Sequence, residues 1–170
     1  MKLVLVRHAI ALDREQAFKL SIADSQRALT EKGIKRFHQV ASQLPHLNCK
    51  IDVILSSPYI RAQQTADILH QYFPQSDVIT EDRLSAGASA NSMAEVVNQY
   101  NNYNSIAVVG HEPDLSAFAS YLLTLNNDLS LQLKKGSICI LQLSEKVRCG
   151  EAVMLDLWQP AIFRKLRKGV

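Results

Sequence analysis

At 170 residues, 47% hydrophobic and 21% charged, the chain has the composition of a folded domain with a full core, which excludes disordered, collagen-like and coiled-coil classes. Its net charge of +3 is too small to call for nucleic acid but gives a mild positive field that suits an anionic substrate. Apolar runs are too short for a membrane span or a signal peptide, and Cys49, Cys139 and Cys149 share no metal-ligand spacing, so a soluble cytoplasmic protein with reduced thiols is expected.

Leu3 to Val6 are continuously apolar and half β-branched, the pattern of a strand buried on both faces. Arg7 and His8 then fall at its carboxyl end, where ligands bind in open α/β sheets. The polar stretch Asp13 to Gln26 is expected to lie over the mouth of that strand, with a short helix around Gln16 to Leu20. Thr30 followed by Glu31 reads as a helix cap with an acidic first turn. Ile34, Phe37, Val40, Ala41 and Leu44 recur at helical spacing until Pro45 stops the run.

A second strand, Ile51 to Leu55, turns through Ser56-Ser57-Pro58 into a helix, with Pro58 expected in its first turn. Arg61 is then near that helix's amino terminus and Thr65 one turn further on the same face. A cation beside free amide donors makes an anion site. Val78-Ile79 mark a weaker strand, Thr80 to Gly87 a polar loop, and Ser92 to Tyr100 a helix. Ser105 to Val109 form a further buried strand, which runs into Gly110-His111-Glu112-Pro113 and an apolar helix from Leu115 to Leu125. For a second time a strand ends on a histidine ahead of a helix.

Ser137 to Leu143 and Glu151 to Trp158 read as two more strands joined by a turn at Val147 to Gly150, the second suited to an edge or a half-exposed antiparallel pair. The basic run from Arg164 to Lys168 reads as a solvated end. No linker or repeat interrupts the chain, so one domain spanning residues 1–170 is expected, with a sheet between helical layers.

Arg7, His8, Arg61 and His111 therefore gather at one sheet edge. Two guanidiniums and two imidazoles, without a cysteine nucleophile or a carboxylate cluster for a metal, suit a dianionic phosphoryl group. A neutral imidazole can also carry that group covalently. His8, beside an arginine and after a rigid strand, is taken as nucleophile and His111 as a donor to the phosphoryl oxygens; spacing alone also allows the reverse.

The segments Leu5-Val6-Arg7-His8-Ala9, Ser56-Ser57-Pro58, Arg61-Ala62, Gln64-Thr65-Ala66 and Gly110-His111 together resemble the histidine phosphatase superfamily, or phosphoglycerate mutase-like family. The small size, Arg27-Ala28-Leu29-Thr30 and Gly110-His111-Glu112-Pro113 are similar to its SixA-type phosphohistidine phosphatase branch. The resemblance implies an α/β three-layer αβα sandwich on a mostly parallel mixed sheet of about six strands, and no required cofactor or metal. It also implies His8 as the phosphorylated residue, Arg7, Arg61 and His111 as the rest of the phosphate pocket, and Arg27 near the substrate. Ala9 departs from the family's glycine, a small-for-small change. The dedicated carboxylate acid of many relatives has no clear counterpart here, with Glu81, Asp82 and above all Glu112 as candidates.

A phosphohistidine leaves as an imidazole that can depart neutral, whereas an alcohol needs a proton in flight, so a weak acid fits the former. The function expected is removal of phosphoryl groups from histidine on a protein partner, a histidine-containing phosphotransfer domain, with no nucleic-acid or membrane partner. A small-molecule phosphomonoesterase of the same chemistry and a non-catalytic phosphoprotein-binding module are the alternatives.

Overall fold

The computed structural model describes residues 1–125, 129–144 and 146–166, with side chains through Phe163. Six strands, β1 (Lys2–Arg7), β2 (Val53–Ser56), β3 (Asp77–Thr80), β4 (Ser105–Gly110), β5 (Ile138–Gln142) and β6 (Val153–Trp158), form one sheet in the order β3-β2-β4-β1-β5-β6. The first four in that order run parallel, while β5 is antiparallel to β1 and β6 to β5. This is the mixed α/β sheet that the sequence leads one to expect, with β6 as a partly exposed edge.

Period-two alternation divides the core. Val4 and Val6 face a layer containing Phe37, Val40 and Leu44 of α2 (Glu31–Ala41) and its continuation, and Ala62, Ala66 and Leu69 of α3 (Ile60–Tyr72). Leu3 and Leu5 face Met93 and Val97 of α4 (Ala90–Gln99) and Leu115, Phe118 and Leu122 of α5 (Asp114–Leu123). The central strands β1, β2 and β4 are buried nearly throughout, so their apolar runs are continuous rather than alternating.

Parallel pairing brings three strand ends level. Arg7 of β1 is opposite Gly110 of β4, and Ser56 of β2 is opposite Val109. The ladder runs one residue further on each side, His8 donating its amide to Gly110 and Ser57 to Val109, both at 3.0 Å. Residues 8, 57 and 111 thus leave the sheet side by side.

Several boundaries move, each for a local reason. α1 spans Arg14–Lys19 rather than Gln16 to Leu20, because Asp13 Oδ1 accepts from the Glu15 amide at 2.9 Å and starts the helix earlier. Pro58 lies ahead of α3 rather than in its first turn: Tyr59 is the extended cap residue and Ile60 the first helical one. Ser89 caps α4 through the Ser92 amide, opening that helix at Ala90, and α5 begins at Asp114 and ends at Leu123. A further short helix, α6 (Pro160–Leu166), follows β6, and Trp158 and Phe163 around its start pack edge to face at 5.7 Å against the α2 side of the core. The side chains of the basic run from Arg164 onward lie outside the described residues. Among the described residues no helix is long and apolar enough to cross a membrane.

Candidate active site

Beyond β1, Ala9 donates its amide to Thr65 Oγ1 at 3.1 Å, and that hydroxyl donates to the Arg61 carbonyl at 2.6 Å. The first turns of α3 are thereby tied to the segment leaving the sheet, and Arg61 is carried beside His8. Ala9 is itself buried, so its methyl group is accommodated in the packing.

The His8 ring is 6% exposed, and its Nδ1 lies 2.7 Å from the Ala9 carbonyl. A carbonyl only accepts, so Nδ1 carries the proton and Nε2 keeps its lone pair. Burial pushes the His8 pKa down to about 3; the Ala9 bond opposes that, and His111, Arg61 and Arg7 add to it. The residue is therefore neutral at physiological pH with one nucleophilic nitrogen.

His111 stands 5.3 Å from His8 between ring centroids, with the rings tilted at 56°. Its Nε2 is 2.8 Å from Ser57 Oγ, and Tyr59 packs on its other side with centroids 4.9 Å apart. Burial, followed by the nearby Arg61 cation, lowers its pKa to about 4.

Arg61 is 2% exposed, with Nη1 donating to the Asp24 carbonyl at 2.5 Å and Nη2 to Asp24 Oδ2 at 3.0 Å. Arg27, also buried, meets Asp24 Oδ1 through Nε at 3.0 Å and Nη2 at 2.9 Å, and its Nη1 donates to the Leu12 carbonyl at 2.6 Å. Asp24 thus clamps two buried guanidiniums from the segment that crosses the mouth, in a 3₁₀ turn at Asp24–Gln26. Burial alone would raise the Asp24 pKa, but the hydrogen bonds and charges of Arg27 and Arg61 outweigh it and hold the carboxylate ionised. Arg7 donates through Nη1 to the Leu133 carbonyl at 2.5 Å.

Among the described residues, the buried side-chain nitrogens and oxygens without a partner are Arg7 Nε, Arg61 Nε, His111 Nδ1 and Glu112 Oε1. Buried polar groups are almost always paired, and an orphan costs about 1–3 kcal/mol. All four belong to residues singled out from sequence, and the three nitrogens, on Arg7, Arg61 and His111, leave donor capacity for an anion, whereas the Glu112 carboxyl oxygen can only accept, or carry a proton. Glu112 Oε2 accepts from Ser116 Oγ at 2.6 Å, while burial raises the pKa of its carboxyl group. Of the other acid candidates, Glu81 has its oxygens taken by Tyr100, at 2.6 Å, and Arg83. No group of three His, Cys, Asp or Glu side chains among the described residues could hold a metal ion.

Arg7, His8, Arg61, Arg27 and His111 therefore converge, and Glu112 adjoins them through the charge of Arg7. Sequence reasoning missed Asp24 as the clamp and Ser57 as the partner of His111. The spacing of Asp24 three residues before Arg27, and the placement of Ser57 at a strand end, were the signals available.

The sheet order, the layering and a histidine at the ends of two adjacent parallel strands define a phosphoglycerate mutase-like α/β fold. The chain matches the sequence profile of the histidine phosphatase superfamily (branch 1) over residues 3–86. It is 32% identical over 142 residues to an uncharacterized protein of Picosynechococcus, a match covering 81% of this chain and 82% of that one. In fold it is similar to the protein histidine phosphatase SixA complexed with tungstate, at a TM-score of 0.80 and 21% identity over 95% of this chain and 99% of the other. It also superimposes on the α-ribazole phosphatase of Shigella flexneri, with a TM-score of 0.69 and 16% identity over 94% and 97% of the two chains. A mycobacterial glucosyl-3-phosphoglycerate phosphatase complexed with VO3 gives 0.68 and 17% over 93% and 98%. The chain belongs to the histidine phosphatase superfamily, whose members are phosphatases and mutases.

Proposed function

We propose that this protein is a phosphohistidine phosphatase that acts on a protein partner of the histidine-containing phosphotransfer type, with residues 1–170 working as one domain. The observation that carries the reading is the ring of unpartnered buried donors, Arg7 Nε, Arg61 Nε and His111 Nδ1, around a neutral histidine. The fold likeness to SixA supports the choice of substrate class.

His8 Nε2 attacks phosphorus in line with the substrate's P–N bond. The new P–N bond forms as the old one breaks, and the substrate imidazole takes the electron pair. Protonated on its other nitrogen, it departs neutral. A water molecule then attacks the His8 phosphoryl group, the His8–phosphorus bond breaks with its pair returned to Nε2, and the water's proton ends on the phosphate. Arg7, Arg61 and His111 bear on the equatorial oxygens, where charge develops, and Arg27 reinforces them from the mouth. His111 stays in position through Ser57.

The decisive assay is phosphate release from a phosphotransfer domain labelled on histidine, against sugar and nucleotide monoesters. Turnover of the phosphoprotein alone, or far faster than of the monoesters, is expected; good monoester turnover with none of the phosphoprotein overturns the reading. A second reading, small-molecule phosphomonoesterase, is favoured by Glu112, whose buried, unpartnered Oε1 and raised pKa are what an acid for an alcohol leaving group requires. On the main reading Glu112→Gln leaves phosphohistidine turnover within about two-fold; on the second it costs monoester turnover about 10²-fold or more.

A further inference from the structure

Next to the phosphate cup lies a cavity of about 310 Å³ that shares Arg7 with the cup and is otherwise lined by residues the chemistry above does not use. Its walls come from three places: Gly33, Arg36 and Phe37 of α2, the turn Lys134-Lys135-Gly136 ahead of β5, and Pro160 at the start of α6. Its inner end is formed by Arg7, Ala9 and Ile10, so it opens one residue from the proposed nucleophile.

The cavity is built into the fold rather than left over from it. The 134–136 turn is held by Gln159, whose Oε1 accepts from Ser137 Oγ at 2.6 Å and from the Lys134 amide at 3.3 Å, and whose Nε2 donates to the Gln132 carbonyl at 2.6 Å. Gly136 donates its amide to the carbonyls of both Arg7 and His8 at 3.1 Å, anchoring the turn to the site. It has a φ of +80°, and a Cβ there would contact Phe37 and Pro160, the two apolar walls. At Gly33 a Cβ would fall within 2.0 Å of the Ile10 carbonyl oxygen, so glycine is what lets α2 come this close.

The charge on this cavity is of one sign. Arg36, Lys134 and Lys135 line it, no acidic side chain does, and none of the three forms an ion pair among the described residues. The lysines are exposed and Arg36 half-buried. Lys135 also joins the cavity to the cup: burial, then the Arg7 and Arg27 cations, lower its pKa, with Asp13 opposing and Arg14 adding to the effect. Apolar surface from Phe37, Ala9 and Pro160 beside cations contributed by two separate elements suits a peptide segment that carries acidic groups.

We propose that this groove docks an acidic stretch of the phosphoprotein substrate next to its phosphohistidine, with Arg36 and Lys134 reading carboxylates while the phosphoryl group enters the cup. The assignment rests on the phosphohistidine reading above and adds the partner's surface chemistry to it. The complementary charges act mainly on encounter and KM, because exposed pairs contribute little apiece and are screened by salt.

The test uses two synthetic phosphohistidine peptides of equal length, one flanked by aspartates and one by alanines, with p-nitrophenyl phosphate as a substrate that reaches only the cup. The full-length protein is compared with Arg36→Glu/Lys134→Glu; Lys135 is left intact because it adjoins the cup. Wild type is expected to show a KM about ten-fold lower for the acidic peptide, a preference that fades with added salt and is lost in the variant, with p-nitrophenyl phosphate kinetics unchanged. Turnover of both peptides with equal KM in wild type overturns the docking groove and leaves the phosphohistidine reading standing. So does a variant that loses both peptides and p-nitrophenyl phosphate alike. Hydrolysis of p-nitrophenyl phosphate with neither peptide touched brings down the phosphohistidine reading, and the groove assignment with it.

Discussion

The ends of β1 and β4 are built alike: a buried parallel strand delivers a histidine, and the two strands are hydrogen-bonded neighbours. What separates His8 from His111 is the atom each ring leans on. His8 has a carbonyl, which can only accept, so its proton is fixed on Nδ1 and the lone pair on Nε2. His111 has the Ser57 hydroxyl, which can donate or accept, so its Nδ1 can serve as donor to an oxyanion. Identical residues on equivalent scaffolds are thus suited to the different tasks proposed for them because one hydrogen-bond partner differs, a distinction set by environment rather than by residue type.

The sharpest way to break this comparison is to remove each ring in turn. His8→Ala is expected to abolish turnover and phosphoenzyme formation. Its melting temperature at pH 7 should stay within a few degrees of wild type, since the buried ring lines the polar cup rather than either apolar cluster and makes a single hydrogen bond. His111→Ala is expected to slow turnover by about 10²–10³-fold, the cost of one donor to a developing oxyanion, and still to form a phosphoenzyme. Alkaline quenching followed by NMR should locate the phosphoryl group on the Nε2 of His8. A label on His111, or on Nδ1 of either ring, reverses the assignment.

A smaller effect is carried by both histidines together. Folding lowers the pKa of His8 from 6.5 to about 3 and that of His111 from 6.5 to about 4, so between those limits the unfolded chain binds protons that the folded one does not. Stability is therefore full above pH 6.5 and falls as the pH drops through the window, by up to about 1.4 kcal/mol per pH unit for each ring. Denaturant titrations from pH 7.5 to 4.5 check this, and replacing His8 by Ala should remove about half of the slope. A stability that is flat from pH 6.5 to 4.5, or that rises on acidification, contradicts neutral rings in the folded state.

The sequence made the strand ends legible because they depend on local pattern: a continuous apolar run that breaks into Arg7-His8 or Gly110-His111 has one plausible place in a parallel sheet. It did not make the partners of those histidines legible. Ser57 is 54 residues from His111 and Asp24 is 37 from Arg61, and their contacts exist only once strand order and the path of the mouth segment are set. The tautomer of His8 depends on a carbonyl whose direction no side-chain pattern encodes. The short helix α6 was missed for a related reason: it spans seven residues, and what holds it is packing against α2 rather than its own periodicity. Pro58 shows the opposite error, a sound local preference applied one step too far along, since Tyr59 remains extended and delays the helix.

Asp24 offers the finest test, because it gives the cup of two histidines an internal substitute for its ligand. Its carboxylate lies on the buried Arg61 and Arg27 guanidiniums, with the side chain 43% exposed to solvent. Asp24→Asn keeps the size and the backbone bond from Arg61 Nη1 but removes the counter-charge. Solvent screening at the half-exposed carboxylate holds the expected loss to about 1 kcal/mol, or roughly 3 °C in melting temperature. An entering oxyanion should restore what the substitution takes away, so inorganic phosphate or vanadate is expected to raise the melting temperature of Asp24→Asn by more than it raises that of wild type. Equal shifts in the two proteins would mean that Asp24 and the phosphoryl group do not share the arginines, and that the mouth segment closes over the site without neutralising it.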